Sequence, residues 1–399
     1  MTTITSDVRP EPDSVSNRLT FLLALSCGLI AANIYYAQPL AGPIAAELGL
    51  RPESAGLILT MTQIGYGVGL LLIVPLGDLI ENRRLISSVI AVAAVALVAA
   101  ALSRHPLPFL VAALSVGFAS VAVQILVPYA GHLAPERIRG RVVGNVTSGL
   151  MLGIMLARPA SSFIASVSSW HAVYWMSAAL MVSLAILLRW TLPPRMPQTR
   201  LRYAELLGSM VHLARTTPVL WRRAFYQASL FAVFSLFWTT VPLMLASPVF
   251  GLSQSGIALF ALLGAAGAVA SSIAGRVADC GWTRPATAAA MLLTSCGFAL
   301  TVIVAPGSTL SLVLFVTAAI AIDFGVQANV VLGFRALFVL GADVRSRLNG
   351  LYMATFFLAG ALGSGVGGWA YASGGWWLAA TIGGALPLCA LIYLTTEKK

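Results

Sequence analysis

The stretch Val74-Pro-Leu-Gly-Asp-Leu-Ile-Glu-Asn-Arg-Arg84 lies between two long apolar segments. It places one carboxylate, Asp78, at the end of the first segment and two guanidinium groups, Arg83 and Arg84, at the start of the next. A second stretch, Gly275-Arg-Val-Ala-Asp-Cys-Gly-Trp-Thr-Arg284, has the same plan, and its carboxylate, Asp279, follows Asp78 by 201 residues in a chain of 399. One such loop is an ordinary charged connection. Two copies half a chain apart point to an internally duplicated membrane protein.

The residues around the two loops agree. The chain is 59% hydrophobic and only 9% charged, where soluble domains carry about 25% charged residues. Apolar runs long enough to cross hydrocarbon as helices recur along it. They predict twelve spans, near 19–44, 54–77, 85–103, 107–132, 142–167, 171–190, 223–246, 255–275, 286–305, 309–333, 347–371 and 376–394. The net charge of +11 is compatible with a nucleic-acid partner in itself. Its distribution excludes one: Arg83, Arg84, Arg137, Arg139, Arg141, Arg189, Arg195, Arg200, Arg215, Arg276, Arg335 and Arg347 all fall on one set of alternating loops, as do Lys398 and Lys399. Only Arg51 and Arg104 fall on the other set. The positive-inside rule then puts both termini in the cytoplasm of a chain seated in a lipid bilayer, expected to be an inner (plasma) membrane. The four cysteines form no metal-ligand spacing.

The expected organisation is a cytoplasmic tail (1–17), a first six-helix bundle (18–190), a central cytoplasmic loop (191–222) and a second six-helix bundle (223–399). Pro193, Pro194 and Pro197 stop the sixth helix. Leu206, Leu207, Met210, Val211 and Ala214 share a helical face, so either a short surface helix or a plain linker fits the loop. The halves echo elsewhere: Gln38-Pro39-Leu40 aligns with Val241-Pro242-Leu243, and Arg139-Gly-Arg141 with Arg345-Ser-Arg347.

The two charged loops resemble a signature of the major facilitator superfamily, Gly-x-Leu-Ala-Asp-Arg-x-Gly-Arg-Arg between helices 2 and 3, with a weaker echo between helices 8 and 9. Leu76, Asp78 and Arg83 match, and the echo keeps Gly275, Ala278 and Asp279. Val74, Leu79, Glu81 and Asn82 depart from the pattern. The resemblance implies an all-α membrane protein of twelve transmembrane helices in two pseudo-symmetric six-helix bundles, moving a small-molecule solute by alternating access. It implies a latch formed by Gly77, Asp78, Arg83, Arg84, Gly275 and Asp279, and a path lined by helices 1, 4, 7 and 10. Helix 5 is similar to a glycine pattern of drug–proton antiporters at Gly144, Gly153 and Pro159, with Ala157 and Arg158 breaking it. Proton-coupled export is the expected mode, with uptake or facilitated transport of a metabolite as the alternative. A receptor on the same scaffold would need a larger soluble segment.

Two residues stand out for chemistry. Asp323 is the one carboxylate deep inside a predicted span, fourteen residues from its start, or about 21 Å along a helix. A carboxylate there must be protonated, paired or wet, which suits a proton carrier. A structural carboxylate bonded to a neighbouring helix is the alternative. Arg158, the one deep cation, lies nearer the other end of its span. It either binds an anionic group, pairs with Asp323 or snorkels to headgroups. The two depths differ by about 8 Å on the same rise, which leaves direct contact open. The path-lining helices add Asn33, Tyr36, Gln38, Gln124, Trp238, Thr239 and Gln327 as cavity candidates, with interhelical hydrogen bonding as the rival for each. There is no phosphate-binding loop, nucleophile–base pair or metal cluster. The expectation is therefore a monomeric, non-enzymatic protein with no metal or cofactor, drawing on a proton gradient.

Overall fold

Several of the expected spans consist of two shorter helices rather than one. The computed structural model describes residues 16–197, 202–264 and 269–397. The tail residues 1–15, Arg200, Lys398 and Lys399 of the preceding section lie outside the described residues. The first span consists of α1 (Asn17–Ala32) and α2 (Ala41–Glu47). Between them Asn33 to Leu40 run in tight turns, with Ile34 N–H donating to Ala31 O, Gln38 N–H to Tyr35 O and Leu40 N–H to Ala37 O, each at 3.1 Å. Pro39 has no N–H to donate and restricts the residue before it, so the α-helical ladder fails here.

The second span is α3 (Leu57–Leu72), flanked by single 3₁₀ turns at Pro52–Ser54 and Val74–Asp78. It is followed by α4 (Asn82–Leu102), by a fourth span split into α5 (Pro106–Ser120) and α6 (Ala122–Leu133), and by α7 (Glu136–Val167) and α8 (Trp170–Thr191). The short α9 (Tyr203–Thr216) precedes α10 (Pro218–Ala246). The eighth span holds α11 (Gln254–Gly264) and α12 (Val269–Asp279), and the ninth and tenth are α13 (Thr283–Leu300) and α14 (Thr309–Phe338). The last two spans form α15 (Ala342–Thr395), which folds back on itself at Gly374 and Gly375. Gly375 has φ +63°, a conformation that costs glycine little and other residues much. Twelve crossings return the chain to the face on which it started, here called the terminal face.

Several ends lie beyond the expected boundaries. The helix α7 begins at Glu136 rather than 142, α10 begins at Pro218 inside the expected central loop, and α14 runs to Phe338 rather than 333. The arginines that mark these ends as loops in sequence, such as Arg137, Arg139 and Arg222, sit on helical turns that extend beyond the apolar runs. The central segment is largely helical: α9 buries Leu206 and Met210, Tyr203 Oη donates to Leu72 O at 2.8 Å, and Trp221 Nε1 donates to Ala214 O at 2.5 Å.

The pairing of spans repeats between the halves. The helix α1 packs on α7 as α10 packs on α15; α3 packs on α5 as α12 packs on α14; α4 packs on α8 as α13 packs on α15. Across the seam, α3 meets α15 and α7 meets α11. This makes two pseudo-symmetric six-helix bundles. Glycines allow the closest approaches. A Cβ on Gly153 would strike the backbone of Gly28, and in the second half a Cβ on Gly363 would strike the backbone of Ala232. Small residues at such crossings let dispersion contacts between backbones replace side-chain packing.

Candidate functional site

The broken first span, α7, α10 and α14 meet around one ion pair. Arg158 and Asp323 are 3% and 6% exposed. Arg158 Nη1 lies 3.8 Å from Asp323 Oδ2. Arg158 Nε donates to Gln38 Oε1 at 2.5 Å, and Trp238 Nε1 donates to Asp323 Oδ1 at 2.8 Å. The guanidinium carbon stands 4.2 Å from the Trp238 ring centre, 5.2 Å from that of Phe234 and 5.3 Å from that of Tyr35. Such cation–π contacts strengthen when desolvated. Arg158 Nη2 is buried and has no hydrogen-bond partner.

Two features bring Arg158 and Asp323 together although their depths along ideal helices differ. The real α14 extends to Phe338, so Asp323 sits at its midpoint, with fourteen residues before it and fifteen after. Helical side chains lean toward the helix N-terminus. In α7 that direction points from Arg158 back toward the middle of the span. Gln38 comes from the broken span, whose turns aim its side-chain carbonyl across at α7.

Of the other sequence candidates, Trp238 and Gln38 join the pair, and the rest lie elsewhere. Asn33 Oδ1 accepts from Ser177 Oγ of α8 at 2.5 Å, and its Nδ2 reaches Met181 Sδ at 3.4 Å. Tyr36 lines a groove of about 710 Å³ among α1, α7 and α8, together with Leu156, Met176 and Leu180. Gln124 Nε2 donates to Tyr66 Oη at 2.9 Å within the first bundle. Thr239 is fully buried and returns its hydroxyl to Ser235 O of its own helix at 2.6 Å. Gln327 sits one turn beyond Asp323 on α14 and is half-buried. Sequence reasoning passes over Phe234, and over Gln227 and Asn329, whose side chains bond at 2.8 Å between α10 and α14. An amide inside an otherwise apolar span is the signal that marks the last two.

The seam between the bundles is tight at the face opposite the termini. There Ser162 Oγ of α7 donates to Gln254 Oε1 of α11 at 3.1 Å, and Thr60 Oγ1 donates to Ala361 O at 2.9 Å. A Cβ on Gly56 would strike the carbonyl of Ser364. Toward the terminal face α7 is freer, since nothing stands within 4 Å of a Cβ built on Gly140 or Gly144.

The first charged loop is held by residues that depart from the family pattern. Asn82 Nδ2 donates to Gly77 O at 2.6 Å, and Arg195 Nη1 donates to Asn82 Oδ1 at 2.9 Å. Glu81 accepts the Arg83 backbone N–H at 3.2 Å and pairs with Arg84 at 3.1 Å. Arg83 Nη1 donates to Leu192 O at 3.4 Å. Asp78 sits in the electrostatic field of Arg195, His132 and, from the other bundle, Arg347. In the second loop Asp279 pairs with Arg335 of α14, close to Gly275.

A broken first span, helix pairs repeated between the halves and a buried charge pair on the seam fit a membrane transporter fold. The sequence model described as Major Facilitator Superfamily matches residues 21–342, and the chain belongs to that family. It is 37% identical over 362 residues to the uncharacterized transporter YgaY of Escherichia coli O157:H7, covering 91% of each chain. It is 31% identical over 379 residues to the probable transporter SCO4007 of Streptomyces coelicolor, covering 94% of this chain and 86% of the other. In fold it is similar to the nucleoside transporter NupG, with a TM-score of 0.76 at 15% identity over 96% of this chain and 100% of the other. It is also similar to a D-xylose-proton symporter, with a TM-score of 0.68 at 16% identity over 93% of this chain and 96% of the other.

Proposed function

We propose that this transporter is a secondary active carrier of a small organic solute, coupled to protons through Asp323 and working by alternating access. It would lie in a bacterial-type inner membrane as a monomer, with both termini in the cytoplasm, on the strength of the arginine asymmetry. The observation that carries the reading is the Arg158–Asp323 pair, 3.8 Å apart and contributed by opposite bundles. A charge pair on the seam couples its own protonation to the relative position of the bundles, which is what proton-driven rocking requires. The charged loops at Asp78 and Asp279 would act as latches on the terminal face.

Export in exchange for protons is the mode that the helix-5 glycines suggest. One observation favours the second mode, uptake: the guanidinium beside Asp323 repels a cation that would compete with a proton for the carboxylate. The test is flux in proteoliposomes with and without an imposed pH gradient, with solutes chosen from a growth screen of deletion and overexpression strains. Gradient-driven flux that disappears in Asp323→Asn, while the variant still inserts and folds, supports the reading. Unchanged coupled flux in that variant removes Asp323 from the mechanism.

A further inference from the structure

The central site also carries information about the solute, on the assumption that the transporter reading above holds. A guanidinium has five N–H donors in one plane. In Arg158, Nε is engaged by Gln38, Nη1 faces Asp323 at 3.8 Å, beyond good hydrogen-bonding distance, and Nη2 has no partner. An ionised donor left unbonded away from water is costly. The edge formed by Nη1 and Nη2 is also the edge on which a carboxylate makes two parallel bonds. Tyr35, Phe234 and Trp238 wall the guanidinium with aromatic faces, so the body attached to such a carboxylate would meet rings.

We propose that the site binds an organic monoanion, a carboxylate on an apolar or aromatic body, on the Nη1/Nη2 edge of Arg158, and that it does so together with a proton on Asp323. Charge balance gives the reason. With Asp323 ionised the pair is neutral, and a carboxylate would add a second negative charge beside a single cation in a medium that screens weakly. With Asp323 protonated, one cation is left and one monoanion restores neutrality. The proton comes from water on the open face, sits on Oδ2, the oxygen facing Arg158, and leaves to water on the other face. Trp238 can keep donating to Oδ1 throughout. The groups acting on Asp323 are Arg158 of α7, Trp238 of α10 and the Tyr35 hydroxyl of the broken span. The ion pair and side-chain hydrogen bond to Asp323 come from Arg158 and Trp238. Proton and anion therefore raise each other's affinity and move in one direction, while an amine is repelled by Arg158.

The test uses the purified full chain in detergent and follows tryptophan fluorescence and thermal stabilisation. Acetate, lactate, benzoate, phenylacetate and succinate are the probes, with the matching amides and benzylamine as controls. The expected result is that at least one monocarboxylate binds at about pH 5.5, weakens by up to about tenfold per pH unit on raising the pH, and takes up about one proton per anion in weak buffer. Its amide and benzylamine do not bind. Asp323→Asn should bind that anion with no pH dependence, and Arg158→Gln should lose it. Where Asp323→Asn does not fold, proton uptake by the unaltered protein decides. Binding of amine or amide instead, binding without proton uptake, or no binding of any carboxylate overturns the proposal. Proton-coupled flux of a cation or a neutral solute would leave the transporter reading standing while this inference falls. Anion and proton binding without flux would do the reverse.

Discussion

Gln63 of α3 donates through Nε2 to the Ser235 hydroxyl of α10 at 3.0 Å, so the bundles share a buried side-chain hydrogen bond besides their charge pair. Gln63 Oε1 remains buried without a donor. Hydrogen bonds between membrane helices average about 0.6 kcal/mol in coupling and reach about 1.7. A double-mutant cycle on Gln63→Ala and Ser235→Ala, read by unfolding in detergent, should give a coupling in that range. A coupling near zero would mean that the contact is incidental.

The charge pair should show a different pattern. Removing one member strands the other in a dry site, a loss of about 3–5 kcal/mol for buried pairs. Arg158→Met and Asp323→Leu should each destabilise the fold on that scale. The double variant should be more stable than Arg158→Met alone, although all three should lose coupled flux. Additive losses would argue that the two residues are held independently.

Glycines on one helix should divide by position. A Cβ on Gly153 meets the Gly28 backbone, so Gly153→Ala should push α7 from α1 and cost about 1–3 kcal/mol as an overpacked contact. Gly140→Ala and Gly144→Ala meet open space and should be neutral, or stabilise the helix by about 0.5–1 kcal/mol. Thermal unfolding of the three variants separates close packing from any other role for this glycine series.

Closure of the seam is open to cross-linking. Ser162 and Gln254 bond across it at 3.1 Å near the face opposite the termini. In a background lacking the four free cysteines, cysteines at both positions should be bridged by a short bifunctional thiol reagent that carries a reducible link. The bridged protein should lose flux and regain it on reduction. Full flux in the bridged form would show that the bundles need not part there.

The turn after α3 depends on Asn82, which is 2% exposed and bonds both Gly77 and Arg195. Asn82→Ala leaves the buried Gly77 carbonyl and the half-buried Arg195 guanidinium without their partner and should cost about 1–3 kcal/mol. Asp78→Asn should disturb stability less and transport more, as a paired measurement of unfolding and flux would reveal.

Much of this architecture can be read from the chain. The paired loops at Asp78 and Asp279, the apolar runs and the one-sided arginines lead to twelve spans in two related bundles, and the described helices α1 to α15 fit that arrangement. The local pattern misleads in three places. Arg137 and Arg222 look like loop residues but ride on helices that outrun the apolar runs of the sequence. Glu81 and Asn82 read as departures from a signature, yet their side chains hold the turn. Depth counted along ideal axes separates Arg158 from Asp323, because axial rise ignores the lean and reach of an arginine. No periodicity reports which of several buried polar groups face each other across a seam, so Gln38 and Asn33, five residues apart in one polar patch, part company toward α7 and α8.

The fold-back of α15 at Gly374 and Gly375 has a practical bearing. Two helices that reverse on a glycine pair offer almost no surface loop, so an epitope tag or antibody fragment aimed at that hairpin would have to prise the arms apart. The turn ending at Gly251, whose residues 248–251 are largely uncovered, offers a handle on the same side of the bilayer. A fiducial for imaging or a fluorophore for single-molecule work belongs there.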